Sequence, residues 1–198
     1  VMRILDSSGV KLGIEALGYD PEQQEALMHA IGRPYGMILV TGPTGSGKTT
    51  TLYTALKRLN TADRNIMTIE DPVEIRMPLM RQVQTNADIG MTFAGALRSI
   101  LRQDPDVLLI GEIRDTDTAQ MALRAAMTGS QVFTTLHTQD SFGVFPRLRE
   151  FGLSPGLMSG NITATVAQRL VRVLCPECRQ MRAPDAQLRA LLSPALPI

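Results

Sequence analysis

The stretch that decides the fold is GMILVTGPTGSGKTT, residues 36–50. It begins as an apolar run of strand length, and seven of the nine residues at 42–50 are Gly, Ser or Thr. Residues 42–49 fit the phosphate-loop pattern G-x-x-x-x-G-K-[ST]. A helical pattern follows directly, so the loop lies between a strand and a helix, the context in which this pattern binds nucleotide phosphates.

Each residue type in this loop suits that task. Glycines let the backbone N–H groups turn toward phosphate oxygens. Lys48 would reach the β- and γ-phosphates, and the Thr49 hydroxyl would ligate Mg²⁺. The competing interpretation is a flexible Gly-rich turn. We predict ATP and Mg²⁺ as ligands, bound by Thr44, Gly45, Ser46, Gly47, Lys48, Thr49 and Thr50.

Further apolar runs of strand length predict a parallel sheet. Near-continuous apolarity is typical of strands that are covered on both faces. Helical patterns alternate with these runs, which favours a doubly wound α/β fold, mainly parallel, with helices on both faces. The strands are predicted at 36–40, 65–70, 106–111 and 131–137, and the helices at 50–60, 92–103 (with Thr92 as N-cap), 116–129 and 161–174.

Length and composition limit the number of domains and the class of protein. The chain has 198 residues, 44% of them apolar, with a net charge of +1. We predict one ATPase domain over 1–174 and an appendage over 175–198 with a short helix at 185–192. Near-neutral charge and 4% aromatic residues speak against a nucleic-acid partner. No apolar stretch approaches the ~20 residues that span a bilayer, so we expect a cytosolic chain, or one that a partner holds at a membrane.

Acidic residues follow two of the predicted strands. Glu112 comes directly after the run DVLLIG, where a P-loop protein places the carboxylate that handles Mg²⁺. Glu70, Asp71 and Glu74 cluster around Pro72 at the end of another strand. One of them is a candidate general base that orients the attacking water. The alternatives are a solvated loop acid at 112 and a polar turn around Pro72.

Basic residues offer further candidates. His137 ends the run QVFTTLH and would contact or sense the γ-phosphate from the carboxyl edge of the sheet, whereas a structural role is the alternative. Arg98 and Arg102 are four residues apart on one predicted helix, and Arg114 follows Glu112 closely. Arginines can stabilise phosphoryl charge within or between subunits. Ordinary ion pairs are an equal alternative for these three, and for Arg169 and Arg172 on the last predicted helix.

The two cysteines, Cys175 and Cys178, form a C-x-x-C pair. A structural zinc site needs four ligands, so this pair supplies half of one. A redox pair is disfavoured because no thioredoxin-like strand precedes it. The pair is therefore interpreted as half a zinc knuckle or as two unpaired thiols.

Six stretches carry a family resemblance: GPTGSGKTTTLY, TIEDPVE, RQVQTN, GMTFAGALRSILRQDPDVLLIGEIRD, TGSQVFTTLHT and AQRLVRVLCPEC. They occur in the same order in the type II secretion and type IV pilus assembly ATPases, which the chain closely resembles over roughly residues 1–178. The resemblance implies a RecA-like P-loop domain that works in a ring, usually a hexamer, with ATP between subunits.

The resemblance also assigns roles by position. Glu112 matches the Walker B glutamate, and His137 matches the histidine of the segment called the His box. Glu74 matches the Asp-box glutamate that we favour as the activator of water, with Glu70 as second choice. The implied function is an ATP-hydrolysing motor for pilus or pseudopilus assembly, and the implied partner is an inner-membrane platform protein.

The chain departs from the family pattern in two places. Family members carry an N-terminal domain whose arginines reach a neighbour's nucleotide, and here only its last strand, with Arg3, is recognised. Assembly members carry two C-x-x-C pairs, and here one is present. We therefore expect a piece of a longer protein. A nucleotide-binding module without turnover and a nucleic-acid motor of the same fold are the alternative functions.

Overall fold

The computed structural model describes residues 13–181, 183, 185–187 and 189, with Ala87 described for its backbone alone. Its centre is a sheet of strands β1 Gly36–Thr41, β2 Ile66–Glu70, β3 Met80–Gln84, β4 Val107–Ile110, β5 Gln131–Leu136 and β6 Ile162–Ala167. The strands lie in the order β3-β2-β4-β5-β1-β6. Every neighbouring pair in this sheet is parallel.

Within the described part of the chain, the α-helices around the sheet are α1 Pro21–Ile31, α2 Lys48–Leu59, α3 Phe93–Ile100, α4 Thr116–Met127, α5 Val144–Glu150 and α6 Pro155–Met158. Single turns of 3-10 helix lie at Ile14–Leu17, Ala87–Ile89 and Leu101–Gln103. Within the described residues, every helix is too short or too polar to cross a bilayer.

The four central strands, β1, β2, β4 and β5, are buried because each lies between two cores. Met37 and Leu39 of β1 belong to the core that α3, α4 and α5 cover. Ile38 and Val40 alternate with them and belong to the core under α1 and α2. This two-sided burial is why β1 has a continuous apolar sequence, as expected for a covered parallel strand. The predicted α/β fold, with a parallel sheet and helices on both faces, is confirmed.

The helix ends follow local capping chemistry. Thr92 caps α3 as predicted, because its hydroxyl accepts a hydrogen bond from the Gly95 N–H at 3.1 Å. Asp115 caps α4 in the same way through the Thr118 N–H at 2.7 Å. The chain leaves α4 through Gly129, whose φ of +115° favours glycine.

The predicted helix over 161–174 is wrong. Residues 162–167 form β6, which pairs in parallel with β1 through Ile38↔Ala164 and Val40↔Val166. Its β-branched residues Ile162, Thr163, Thr165 and Val166 suit a strand better than a helix. The segment after β6 has no regular structure, and the side chains of Leu170, Val171, Val173 and Leu174 are 73–88% exposed. Arg169 and Arg172 therefore do not share a helix.

The sequence also gave no prediction of β3, which lies at the opposite edge of the sheet. It pairs in parallel with β2, with Ile66↔Met80 at one end and Glu70↔Gln84 at the other. Polar residues interrupt its apolar pattern because an edge strand is only partly covered. The predicted strand that contains Arg3 lies outside the described residues. Of the predicted helix at 185–192, Ala186, Gln187 and Arg189 are described, and they are helical.

Candidate active site

The parallel topology brings four loops to the same edge of the sheet. The carboxyl ends of β1, β2, β4 and β5 lead into the phosphate loop, the Glu70–Pro72 turn, Glu112 and His137 respectively. Such an edge is where open α/β sheets bind their ligands. A cleft of about 540 Å³ lies there, lined by Thr44, Gly45, Ser46, Gly47, Lys48, Thr49, Thr50, Glu70, Asp71, Pro72, Glu74, Phe93, Gly111, Glu112, Thr135, His137 and Leu170.

The phosphate loop has the backbone that its glycines allow. Gly45 and Gly47 have φ values of +77° and +85°, in the left-handed region, and α2 begins immediately afterwards at Lys48. At Gly42, with φ +142°, a Cβ atom would collide with the carbonyl oxygen of Gln168. The loop therefore requires glycine for its conformation and, at position 42, also for a close approach.

Two further observations fit this loop to a phosphate ligand. The Ser46 hydroxyl is buried and has no hydrogen-bond partner among the described residues. Such an orphaned group is rare in folded proteins unless a ligand or water satisfies it. The Lys48 ammonium donates to the carbonyl oxygens of Gly42 at 2.9 Å and Pro43 at 3.0 Å, which keeps the cation beside the loop. Partial burial lowers the Lys48 pKa, and the negative charge of Glu112 opposes that shift.

Gln168, which the sequence analysis did not single out, supports the loop from the end of β6. Its side-chain amide donates to the Ser46 carbonyl at 2.7 Å. Its side-chain oxygen accepts hydrogen bonds from the hydroxyls of Thr51 at 2.8 Å and Tyr19 at 3.1 Å. Because 122 residues separate Gln168 from Ser46, no local pattern could have indicated this contact.

Glu112 is the centre of the opposite wall of the cleft. It forms an ion pair with Arg114 and lies 3.4 Å from His137, measured between Oε2 and Nε2. Arg114 also reaches Asp71 at 3.5 Å, and its guanidinium lies 5.9 Å from the centre of the Phe93 ring. The hydrogen bond to Glu112 raises the Arg114 pKa above its usual range. This wall therefore holds its acids among compensating cations.

Two threonines fix the segments that carry Glu112 and His137. The Thr135 hydroxyl of β5 donates to the Gly111 carbonyl at 2.7 Å, next to Glu112. The Thr41 hydroxyl of β1 donates to the Leu136 carbonyl at 2.9 Å and accepts from the Thr138 N–H at 2.8 Å, on either side of His137. The sequence did not reveal these bonds, because each one joins neighbouring strands.

Glu70 and Glu74, the two glutamates of the segment TIEDPVE that matches the family's Asp box, differ in their surroundings. Glu74 lies in the loop after β2, partly buried, and lines the cleft. Glu70 is 4% exposed, and the hydroxyls of Tyr53 and Thr68 donate to its carboxylate at 2.5 Å and 2.6 Å. The role of each glutamate as general base stays a prediction, and both residues line the cleft.

The other candidate arginines lie elsewhere. Arg98 is on α3 and pairs with Asp117 of α4 at 3.5 Å. Arg102 lies in the 3-10 turn Leu101–Gln103, which continues directly from the end of α3 at Ile100. Neither side chain lines the cleft. Arg169 donates to the backbone and side-chain oxygens of Gln139 at 2.8 Å and 3.3 Å.

The C-x-x-C pair forms an exposed turn. Cys175 and Cys178 are both free thiols, and the Arg179 N–H donates to the Cys175 carbonyl at 3.0 Å. Hydrogen bonds from the backbone of Cys178 and Glu177 lower the Cys175 pKa. No group of three or more potential metal ligands occurs within the described part of the chain. Zinc binding therefore stays a prediction.

Comparison with known proteins identifies the family. A family model described as type II/IV secretion system protein matches residues 1–195. The chain belongs to the type II/IV secretion system protein family. It is 55% identical over 180 residues to the type II secretion system protein E of Dickeya dadantii, a match that covers 91% of this chain and 36% of that protein. The resemblance found in the sequence is thereby confirmed.

This chain is also similar to a pilus assembly protein. The type IV pilus assembly ATPase PilB of Myxococcus xanthus is 51% identical over 197 residues, covering 100% of this chain and 35% of PilB. The chain thus spans about a third of the length of the curated relatives it matches.

Solved structures with the same fold include a pilus retraction motor and a second ATPase. The pilus retraction motor PilT with bound ADP has a TM-score of 0.68 at 37% identity, over 78% of this chain and 45% of that one. The ATPase DotB of Legionella pneumophila has a TM-score of 0.64 at 29% identity, over 76% and 44%. These similarities confirm the predicted RecA-like P-loop fold.

Proposed function

We propose that this chain binds and hydrolyses ATP with Mg²⁺, as the motor of a type II secretion or type IV pilus assembly system. The observation that carries the proposal is the cleft itself, where a phosphate loop faces Glu74, Glu112 and His137 across the carboxyl edge of the sheet. The names of the relatives support it, since they include a type II secretion ATPase of Vibrio cholerae and a pilus assembly ATPase.

The proposal gives a task to each of the main polar residues of the cleft. The backbone of residues 44–47 and the Lys48 ammonium bind phosphate oxygens and stabilise their charge. The Thr49 hydroxyl and Glu112 would hold Mg²⁺, which would supply positive charge to neutralise the phosphates. Glu74 orients the attacking water and accepts its proton. His137 has the role of contacting the γ-phosphate in this proposal, and its 3.4 Å contact with Glu112 would couple it to the Mg²⁺ ligand.

The ring belongs to the same proposal. We propose a hexamer in which a neighbouring subunit completes each site, with an inner-membrane platform protein as partner and a cytoplasmic location at that membrane. Arg98 and Arg102 lie outside the cleft of their own subunit, as arginines that act on a neighbour's nucleotide would.

A nucleotide-binding module without turnover is the second candidate. The geometry that favours it is the ion pair between Glu112 and Arg114, because an acid that is already paired is not free to hold Mg²⁺. Under this reading, nucleotide binding would order an interface without being followed by hydrolysis.

Mg-ATP hydrolysis measured against protein concentration separates the two. Lys48→Ala is the blank, and Lys57→Ala is the matched control, since Lys57 is exposed on the same helix and does not line the cleft. We expect hydrolysis that Lys48→Ala lowers roughly 100-fold or more, with a rate per subunit that rises with concentration. Tight ATP binding with a rate equal to the blank would favour the second candidate.

A further inference from the structure

Glu70 is more deeply buried than a residue that only accepts a proton from water would need to be. Among the described residues, Glu70 is the only buried carboxylate, at 4% exposure. It is the last residue of β2 and lies at the margin of the cleft. A carboxylate without water is stable only when hydrogen-bond donors surround it.

Donors occupy both oxygens of Glu70. The Tyr53 hydroxyl donates to Oε2 at 2.5 Å, and the Thr68 hydroxyl donates to Oε1 at 2.6 Å. One N–H of the Gln82 amide is shared between the Tyr53 hydroxyl oxygen at 3.1 Å and Oε1 of Glu70 at 3.4 Å. Burial, and then the hydrogen bond to Glu70, raise the Tyr53 pKa, so the phenol stays protonated and continues to donate.

The same Gln82 side chain also holds the loop that follows β2. Its amide donates to the Ile75 carbonyl at 2.8 Å, and its oxygen accepts from the Met77 N–H at 2.8 Å. Both ends of one amide are therefore bonded to the backbone of this loop. Such a two-sided contact fixes the position of the backbone as well as its distance.

A second amide on β3 holds the start of the loop. The Gln84 side-chain oxygen accepts a hydrogen bond from the Val73 N–H at 3.2 Å. Glu74 lies between these attachment points, and its negative charge is close enough to contribute to the raised Tyr53 pKa. The loop over residues 73–77 is thus attached to β3 on both sides of the proposed catalytic carboxylate.

Tyr53 carries the connection to the phosphate loop. It is fully buried on α2, four residues after Thr49, the proposed Mg²⁺ ligand. We propose that Tyr53, Glu70 and Gln82, here called the 53–70–82 cluster, fix the Glu74 carboxylate relative to Thr49 at the start of α2. This inference rests on the proposed ATP hydrolysis, and it makes Glu70 a positioning residue that acts through Glu74.

The expected size of the effect follows from geometry. A reacting group displaced by about 1 Å loses roughly 100-fold in rate, although the substrate still binds. Loosening the 53–70–82 cluster should therefore lower kcat and leave KM unchanged, because the phosphate loop is untouched. Replacing a general base by its amide removes proton acceptance altogether, which costs more.

Tyr53→Phe is the mildest test, because it removes only the hydroxyl. We expect kcat to fall roughly 10- to 100-fold at constant KM. Tyr35→Phe is the matched control, since Tyr35 is 54% exposed and lies outside the cleft. Glu70→Gln, which keeps the shape and one acceptor, should lose less than Glu74→Gln. An equal loss in the two amide variants would make Glu70 a proton acceptor and overturn the inference.

A double variant separates positioning from general damage. In a Glu74→Gln background, Tyr53→Phe should change single-turnover hydrolysis little, because the carboxylate that the cluster positions is gone. A merely destabilising change would lower the hydrolysis rate by the same factor in the wild-type and Glu74→Gln backgrounds. If Tyr53→Phe lowers the rate by the same factor in both, or leaves kcat unchanged on its own, the cluster does not position Glu74.

Amide hydrogen exchange provides a readout that needs no activity. Tyr53→Phe and Gln82→Ala should both speed exchange at the Val73 and Met77 amides, while exchange at Leu56 in the centre of α2 stays the same. Unchanged exchange at both amides would overturn the inference. If the unmodified chain hydrolyses no more ATP than Lys48→Ala, the proposed function fails, and the exchange rates still show whether the cluster holds the loop.

Discussion

The two walls of the cleft are built in different ways. The phosphate-loop wall consists of consecutive residues, 44–50. Its glycines and lysine are enough for the sequence alone to predict phosphate binding. The acidic wall is drawn from the ends of three strands, with Glu74 after β2, Glu112 after β4 and His137 after β5. Local backbone physics forms the first wall, whereas only a sheet with the correct strand order and register forms the second.

The walls differ in electrostatics as well. The loop wall has one cation, Lys48, which bonds to carbonyl oxygens of its own loop. On the acidic wall Glu112 is already paired with Arg114 and close to His137. Nucleotide binding should therefore depend on the loop wall, and turnover on the acidic wall. The following changes test that division in order of expected effect.

The largest expected effect is on turnover alone. Glu74→Gln should lower kcat roughly 10²- to 10⁴-fold, the range lost with a general base, and leave the Kd for Mg-ATP within a few-fold. Stopped-flow binding and steady-state hydrolysis measure the two quantities. A Kd that rises as steeply as kcat falls would show that the acidic wall also binds the nucleotide.

The second change destabilises the sheet that carries both walls of the cleft. Phe133 of β5 is fully buried, so Phe133→Ala should reduce the free energy of unfolding by about 3–5 kcal/mol. Phe142→Ala is the matched control, because Phe142 is 81% exposed. Urea titration followed by circular dichroism checks both. A loss below about 1 kcal/mol at position 133 would contradict the continuous core described for this sheet.

The third change weakens the loop wall from outside its own sequence. Gln168→Ala removes the donor to Ser46 and the acceptor for Thr51 and Tyr19. A lost bond of this kind costs about 1 kcal/mol, and only the bond to Ser46 contacts the loop itself, so the Kd for ATP should rise roughly fivefold. Isothermal titration measures it, with Gln120→Ala on α4 as control. An unchanged Kd would mean that residues 42–50 form the loop wall without support.

The smallest expected effect lies outside both walls. Because backbone hydrogen bonds lower the Cys175 pKa, its thiolate forms at lower pH than in a free thiol, whose pKa is about 8.5. In Cys178→Ser, which retains the backbone donors, alkylation of Cys175 should reach half its maximal rate below that pH. Alkylation that follows the pH profile of a free thiol would show that the turn does not hold these donors in place.

The sequence predicted the central strands better than the edges for a physical reason. β1, β2, β4 and β5 are buried on both faces and read as continuous apolar runs. The edge strands β3 and β6 are only partly buried, and their mixed patterns gave no prediction for β3 and a helix for β6. Partial burial removes the signal on which pattern reading depends.

The sequence by itself determined the phosphate loop, the alternation of strands and helices, and the acids and histidine at the strand ends. These depend on local conformation and on burial, which neighbouring residues express directly. Only the tertiary structure decided that Gln168 supports the loop, that Arg114 pairs with Glu112, and that donors surround Glu70. Those contacts join residues far apart in the chain, and strand order and register, rather than any local preference, bring them together.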